Sequence, residues 1–331
     1  MTKLYKSGII GTGSVLPEKK LTNAQLENIV ETSDEWIMKR TGIRERRIID
    51  DDVPLVRLAA EASGRAILDA GIQPDDIDLI IATTVTPDYL TPSLSCGIQK
   101  EIGAKKAAAF DLNAACTGFI YALSVADQFI KNGTYRNILI ASAEALSRAV
   151  DFTDRKTCVL FGDGAGAVVL SRVEDDTGIE ASLIGASGDQ GSVLTIPCFY
   201  MNDEDRSKRH EGKTQVIWMD GSEVFVFAAR IMVEALHNVM DSIGRSMEEV
   251  KYIFPHQANM RILQNASKRL GVSMEKIYTN LEYTGNISSA SIAVCLDEAA
   301  RKNMLQKGDR IALVAFGGGL TYGASVLTWS K

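Results

Sequence analysis

The sequence predicts an α/β protein built from two duplicated halves, and three observations carry that prediction. Short apolar runs alternate with longer helix-like segments over most of the 331 residues, the pattern of strands covered by helices. The order of these segments then recurs: runs starting at 77 and 136 return at 250 and 309, each 173 positions later, as one supersecondary unit used twice would. Composition allows it, since 46% hydrophobic and 24% charged residues supply core for about two domains of this length. The halves are expected at 1–175 and 176–331, packed face to face.

The first half opens with a strand over 3–13. Thr22-Asn-Ala-Gln25 is a capping box opening a helix towards Ser33. The charge run from Asp34 to Arg47 reads as a solvated face, or as a tryptophan and arginine arranged to stack a ligand ring and hold phosphate. A helix at 54–70, stopped by Gly71, precedes a strand at 77–84. A helix at 93–102, stopped by Gly103, precedes a strand at 107–112. A further helix runs to Lys131 before Gly133, and strands follow at 136–143 and 165–170.

Residues 200–215 are highly charged and aperiodic, an exposed insertion or a ligand cover. The second half resumes with a helix over 222–243, N-capped by Ser222. Its buried face carries Phe225, Ala228, Met232, Leu236, Val239 and Ile243. Strand 250–254, helix 258–270, strand 276–279, helix 287–303 and strands 310–316 and 324–329 complete the chain.

Several classes fall away. A net charge of −6 argues against a general nucleic-acid surface, so an acidic partner must find a local basic patch. Five cysteines (96, 116, 158, 198 and 295), odd in number and without a C-x-x-C pair, argue against a disulfide framework or a structural zinc, and for a reducing compartment. The N-terminal apolar run is too short for a signal peptide, and no stretch reaches the ~18 apolar residues of a membrane span. A cytoplasmic globular protein is expected. Gly11-Thr-Gly13 lacks the third glycine and the acidic residue of a dinucleotide loop, and no G-x-S-x-G elbow is present.

The chemistry gathers at Cys116. It lies between the strand at 107–112 and the start of a helix, where unpaired backbone N–H groups and the helix dipole favour a thiolate. Taken alone, a cysteine in an apolar run is a small hydrophobe. The duplication adds to this, because Asn286 lies 170 positions later, ahead of the matching helix; there it is also a common N-cap. Among three histidines, His210 falls in the charged loop and reads as solvated, and His237 falls inside a long helix. His256 follows the strand at its carboxyl end, where open α/β sheets place their sites. The glycine-rich turns Phe161-Gly-Asp-Gly-Ala-Gly166 and Phe316-Gly-Gly-Gly-Leu320 can bring backbone N–H groups to a developing oxyanion, or simply turn tightly.

These residues resemble the β-ketoacyl-acyl carrier protein synthase III family of the thiolase superfamily. The resemblance rests on Asp34-Glu-Trp-Ile, Arg40-Thr-Gly-Ile-Arg-Glu-Arg46, Ala114-Ala-Cys-Thr-Gly-Phe119, Phe161 to Gly166, Pro255-His-Gln-Ala-Asn259, Gly285-Asn286 and Ala315-Phe-Gly-Gly-Gly319, and it covers essentially the whole chain. It implies a homodimer with an αβαβα sandwich of mixed, mostly parallel sheets. The implied reaction condenses an acyl-CoA primer with malonyl-acyl carrier protein, with no metal and no permanently bound cofactor.

By the same resemblance Cys116, His256 and Asn286 form the catalytic set, and the N–H groups of Cys116 and Gly318 form the oxyanion hole. Trp36, Arg40, Thr41, Arg155, Phe225 and Asn259 are the implied CoA contacts. Arg261 belongs to the carrier-protein patch; Lys268, seven residues on, shares its helix face, with Arg269 beside them. Two departures stand out. Val226 replaces a lysine found in some members, and Thr91 stands where a bulky aromatic limits the acyl pocket in others. A smaller residue there implies room for longer or branched primers. Three alternatives stay open: a sibling synthase or acyltransferase of secondary metabolism, a thiolase, and a non-catalytic carrier-binding subunit. Asn286 in place of a second histidine speaks against the thiolase.

Overall fold

The computed structural model describes residues 4–173 and 176–331. The expected boundary between residues 175 and 176 falls beside residues 174–175, outside the described residues. Strands β1 (Lys6–Val15), β2 (Leu79–Thr83), β3 (Ala108–Leu112), β4 (Asn137–Ala145) and β5 (Asp163–Val173) form one sheet in the order β1-β5-β4-β2-β3. Strands β6 (Gly178–Ala186), β7 (Tyr252–Pro255), β8 (Arg310–Gly317) and β9 (Thr321–Thr328) form a second in the order β7-β8-β9-β6.

The two sheets repeat each other. β2 pairs in parallel with β4 and β3, while β5 pairs antiparallel with β4 and β1. Likewise β7 pairs in parallel with β8, and β9 antiparallel with β8 and β6. Both sheets are therefore mixed. The strand–helix alternation visible in the sequence describes the parallel strands β2, β3, β4, β7 and β8, whose crossovers require helices, and not the antiparallel β1, β5, β6 and β9. The counterpart of β3, expected at 276–279, is reduced to one parallel bridge between Ile277 and Ile253, because a tight turn over Met274–Lys276 occupies the approach.

Among the described residues seven helices of eight residues or more accompany the sheets: α1 (Asp34–Thr41), α2 (Leu55–Asp69), α3 (Leu94–Ile102), α4 (Gly118–Lys131), α5 (Gly221–Ser242), α6 (Met260–Leu270) and α7 (Ala290–Arg301). α2 and α3 cover the outer face of the first sheet, and α5 and α6 that of the second. α4 and α7 lie between the sheets, where Phe119, Leu123 and Ile130 share a core with Phe254, Ile292 and Leu296. The result is the expected five-layer αβαβα sandwich.

Local chemistry sets the ends. The Thr22–Gln25 capping box forms, but its helix covers only Asn23–Leu26, since Asn28 and Ile29 bond to carbonyls three residues back and tighten the turn. α5 is capped by Asp220 rather than Ser222: Oδ1 of Asp220 accepts from the N–H groups of Ser222 and Glu223, as a carboxylate at a helix N-terminus should. No helix among the described residues is long and apolar enough to cross a membrane.

Candidate active site

Cys116 sits in a single 3₁₀ turn, Ala115–Thr117, between the end of β3 and the first turn of α4. Ala115 there adopts φ +47°. The end of β8 passes directly over this turn. A Cβ added to Gly317 would lie 2.7 Å from the Cys116 backbone N and 3.0 Å from its Cβ, so only glycine lets the strand approach. Thr321 at the start of β9 fastens the same place, its Oγ1 donating to the Ala114 carbonyl at 2.9 Å. Gly318 follows, its Cβ position 3.5 Å from that of Ala115. The structure thus puts Cys116 and the Gly318 turn side by side.

His256 leaves the carboxyl end of β7, buried and edge-on to Phe316 at 5.4 Å between ring centres. Its Nδ1 lies 3.0 Å from Ser291 Oγ, which also accepts from the Gln257 backbone N–H at 3.4 Å. With Ser291 as the donor to Nδ1, the ring carries its hydrogen on Nε2. Burial pushes the imidazole down to about 3, against a small opposing pull from a backbone group of Ser288. His256 is a neutral N–H donor at physiological pH.

Asn286 is set by its backbone, which bridges to the first half: its N–H donates to Leu160 and its carbonyl accepts from Gly162. Gly285 before it has φ +70°, and a Cβ there would meet Arg46 Cβ at 2.8 Å and the Leu160 carbonyl at 3.0 Å. The Asn286 Oδ1 accepts from Ser288 N–H at 2.9 Å, leaving its Nδ2 as the donor.

The three side chains converge on Ser288. Its N–H holds Asn286, its backbone meets the His256 ring, and its hydroxyl is close enough to the Cys116 sulfur to lower the thiol pKa. Burial nevertheless dominates and pushes Cys116 up to about 12, with the charge of Glu144 adding to the rise. This corrects the expectation of a thiolate from helix position alone. Cys116 rests as a thiol, because desolvation of the charged form outweighs the helix N-terminus. Ser288 and Ser291 escape a reading of the sequence; a serine held at φ +48° carries no sequence signal.

At the outer end of the site Trp36 on α1 is flanked by Arg40 and Arg155, whose guanidinium carbons lie 5.7 and 5.4 Å from its ring centre. Asn259 caps α6 through its Oδ1 and donates Nδ2 to the Arg40 carbonyl at 3.0 Å, tying α6 to this cradle. Thr41 does not take part. It is buried, donating to the Ile37 carbonyl and accepting from Ile43 N–H, so its hydroxyl closes α1 instead of meeting a nucleotide. Phe225 is half-buried under the Arg261 guanidinium at 5.5 Å.

Arg261 and Lys268 are exposed on one face of α6, whereas Arg269 donates to the Ala229 carbonyl and is committed to α5. Thr91 is exposed on the loop leaving β2. His210 is buried rather than solvated, its Nε2 3.0 Å from Thr195 Oγ1. The reason is that the insertion folds back: Lys213 pairs with Asp151 and Ile217 N–H bonds to Ala149, just ahead of Arg155.

Two family descriptions match the chain: 3-oxoacyl-[acyl-carrier-protein] synthase III over residues 110–188 and the C-terminal part of the same family over 240–329. A β-ketoacyl-[acyl-carrier-protein] synthase III of Caldanaerobacter subterraneus is 49% identical over 331 residues, the full length of both chains. Among solved structures, the 3-oxoacyl-[acyl-carrier-protein] synthase III of Aquifex aeolicus superposes with a TM-score of 0.91 at 44% identity, covering 98% of this chain and 100% of that one. The priming β-ketosynthase of the R1128 polyketide pathway superposes at 0.93 with 33% identity, covering 100% and 98%. The duplicated sandwich, the Cys–His–Asn set meeting between its halves and these likenesses over the whole length lead to one conclusion: the chain belongs to the β-ketoacyl-[acyl-carrier-protein] synthase III family.

Proposed function

We propose that this protein performs the decarboxylative condensation of an acyl-CoA primer with malonyl-acyl carrier protein, the first carbon–carbon bond of fatty acid synthesis. The convergence of a thiol, a neutral imidazole donor and a carboxamide donor on Ser288 carries this reading. Cys116 attacks the primer thioester, and the N–H groups of Cys116 and Gly318 receive the oxyanion. CoA leaves. The malonyl thioester carbonyl then takes hydrogen bonds from His256 Nε2 and Asn286 Nδ2. Both donors are neutral, so they stabilise the enolate that forms as carbon dioxide departs without having to give up a charge. The enolate carbon attacks the acyl-cysteine and expels the thiolate.

The Trp36 ring with Arg40 and Arg155 suits the adenine and phosphates of CoA by stacking and charge. Arg261 and Lys268 offer an acidic carrier protein a basic face on a chain of net charge −6. Acyl-CoA enters as a substrate, no resident cofactor is needed, and the cytoplasm holds both substrates. Strand β3 ends its sheet with Phe110 exposed, which suits pairing with a second copy; Thr91 would then face that copy. The likeness to a priming ketosynthase supports a second reading, the same chemistry on a carrier of a polyketide pathway.

The deciding experiment is intact mass after mixing with acetyl-, isobutyryl- and octanoyl-CoA. Adducts that vanish in Cys116→Ser, and that release a β-ketoacyl product on adding malonyl-acyl carrier protein, are expected. Adduct formation confined to acetyl-CoA would remove the longer-primer reading of Thr91. No adduct from any primer would overturn the condensation itself.

A further inference from the structure

The charge run from Asp34 to Arg47 has two ends. Its first part is α1, which carries Trp36 and Arg40; its second runs on through Gly42 and Ile43 to a short strand, Glu45–Arg47, paired with Lys20–Thr22. This second part lies against residues 282–285, the four that precede Asn286. The Arg44 N–H donates to the Glu282 carbonyl at 2.9 Å, and its Nε to the Glu282 carboxylate at 2.9 Å. Arg47 Nε donates to the Tyr283 carbonyl and its Nη1 to the Pro17 carbonyl, each at 3.2 Å. Between them Arg46 backs onto Gly285, where an added Cβ would meet that of Arg46 at 2.8 Å.

Arg46 is the unusual member. It is fully buried, and its three hydrogen bonds end on neutral oxygens. Nη1 donates to Asn23 Oδ1 at 2.8 Å and to the Leu21 carbonyl at 3.1 Å, and Nη2 to the Val159 carbonyl at 2.7 Å. Its Nε has no hydrogen-bond partner among the described residues. Burial brings the guanidinium down to about 10, so it stays charged at neutrality. A buried cation held by neutral oxygens costs stability that a well-packed apolar residue would not, and such a group calls for a reason. The reason lies in what it joins. Val159 leads into the segment that receives the Asn286 N–H at Leu160 and donates to its carbonyl from Gly162. A Cβ on Gly162 would lie 2.3 Å from the Thr284 carbonyl and 3.2 Å from Arg46 Cβ, so the two segments and the arginine close on one another with no space between.

We propose that Arg46 and Arg47 are positioning residues for the condensation, clasping residues 282–285 against 159–162 so that Asn286 Nδ2 stands where the malonyl carbonyl needs its donor. The proposal rests on Asn286 being that donor. Ser288 N–H orients the Asn286 side chain, whereas the arginines fix the place its backbone takes. Stabilising an enolate depends on a donor held within a fraction of an ångström. The Cys116 turn is fastened separately, by Thr321 and by the close approach of Gly317. Loosening the clasp therefore slows the second half of the reaction and spares the first.

The test measures two rates at saturating acetyl-CoA in the wild type, Arg46→Lys, Arg47→Gln and Asn286→Ala, and in each arginine variant combined with Asn286→Ala. Intact mass gives acylation of Cys116, and carbon dioxide released from malonyl-acyl carrier protein by the acylated enzyme gives condensation. Both arginine variants should acylate at the wild-type rate, while condensation falls about 10-fold in Arg47→Gln and about 10²-fold in Arg46→Lys. Without the Asn286 amide the clasp has no donor to place, so in that background neither arginine change should slow condensation further. Arg47 bonds to Tyr283, Pro17 and Glu45 and not to α1, so Arg47→Gln decides the matter should Arg46→Lys fold poorly. A full further loss in its double variant, or equal losses of acylation and condensation, would show a merely structural role and overturn the proposal. Wild-type condensation in both arginine variants beside a slow Asn286→Ala would overturn the proposal alone. Asn286→Ala condensing at the wild-type rate would instead remove the reading of Asn286 on which it rests.

Discussion

Ser291 shows how much of this site is set by residues that touch no substrate. It accepts from Gln257 N–H and lies 3.0 Å from His256 Nδ1, and as donor to that nitrogen it leaves the ring hydrogen on Nε2. Removing the hydroxyl leaves a buried imidazole nitrogen unpaired, at a cost of about 1–3 kcal/mol, and frees the ring to choose the other tautomer. Ser291→Ala should therefore slow the malonyl condensation by about 10–100-fold, while acylation of Cys116 continues near its normal rate. Stopped-flow acylation beside steady-state turnover separates the two; equal losses in both would refute the orienting role. The sequence points to Cys116, His256 and Asn286 because rare residue types stand at strand–helix junctions in a duplicated chain, and the structure gathers the three around Ser288. Ser288 and Ser291 were not legible, because serine is common and its meaning depends on a positive φ, a tautomer and burial that only the assembled halves create. The thiol state of Cys116 was misread for the same reason: the sequence displays the helix N-terminus and hides the desolvation.

At the scale of elements, the turn joining β8 to β9 is held against the Cys116 turn more tightly than most side chains permit. A methyl group on Gly317 would press on Cys116 N and Cβ, displacing the sulfur relative to the proposed oxyanion donors. Displacements of about 1 Å can cost about 10²-fold in rate. Gly317→Ala should lose activity on that order while its circular dichroism remains native; full activity would show that the two turns can part freely. Most helices were legible, since α2, α3, α4 and α6 end one or two residues ahead of Gly71, Gly103, Gly133 and Gly271. β6 escaped notice because past Gly178 and Ile179 its residues are half-exposed or exposed, so no clear apolar alternation marks it. The 276–279 segment misled in the opposite sense, its apolar residues packing on the core without extending a ladder.

For the whole molecule, the open question of assembly reduces to the edge strand β3. Its residues Ala108 and Phe110 are exposed, and an uncovered edge with apolar side chains invites a second strand. A charge at its centre opposes that pairing, so the wild type should elute as a dimer and Phe110→Lys as a monomer. Light scattering after size exclusion would measure it, and a wild-type monomer would remove the pairing altogether. The duplication was legible because strand spacing repeats at 173 positions, but the way the halves interlock was not.

That interlock bears on how the chain is made. Phe119, Leu123 and Ile130 of α4 find their partners in Phe254, Ile292 and Leu296, more than a hundred residues downstream. At 5–20 residues per second a ribosome needs roughly 10–30 s to deliver them. During that interval the finished first half carries a bare apolar face beside the emerging remainder. The nascent polypeptide should then be a chaperone client until its last helix arrives, however stable the completed enzyme.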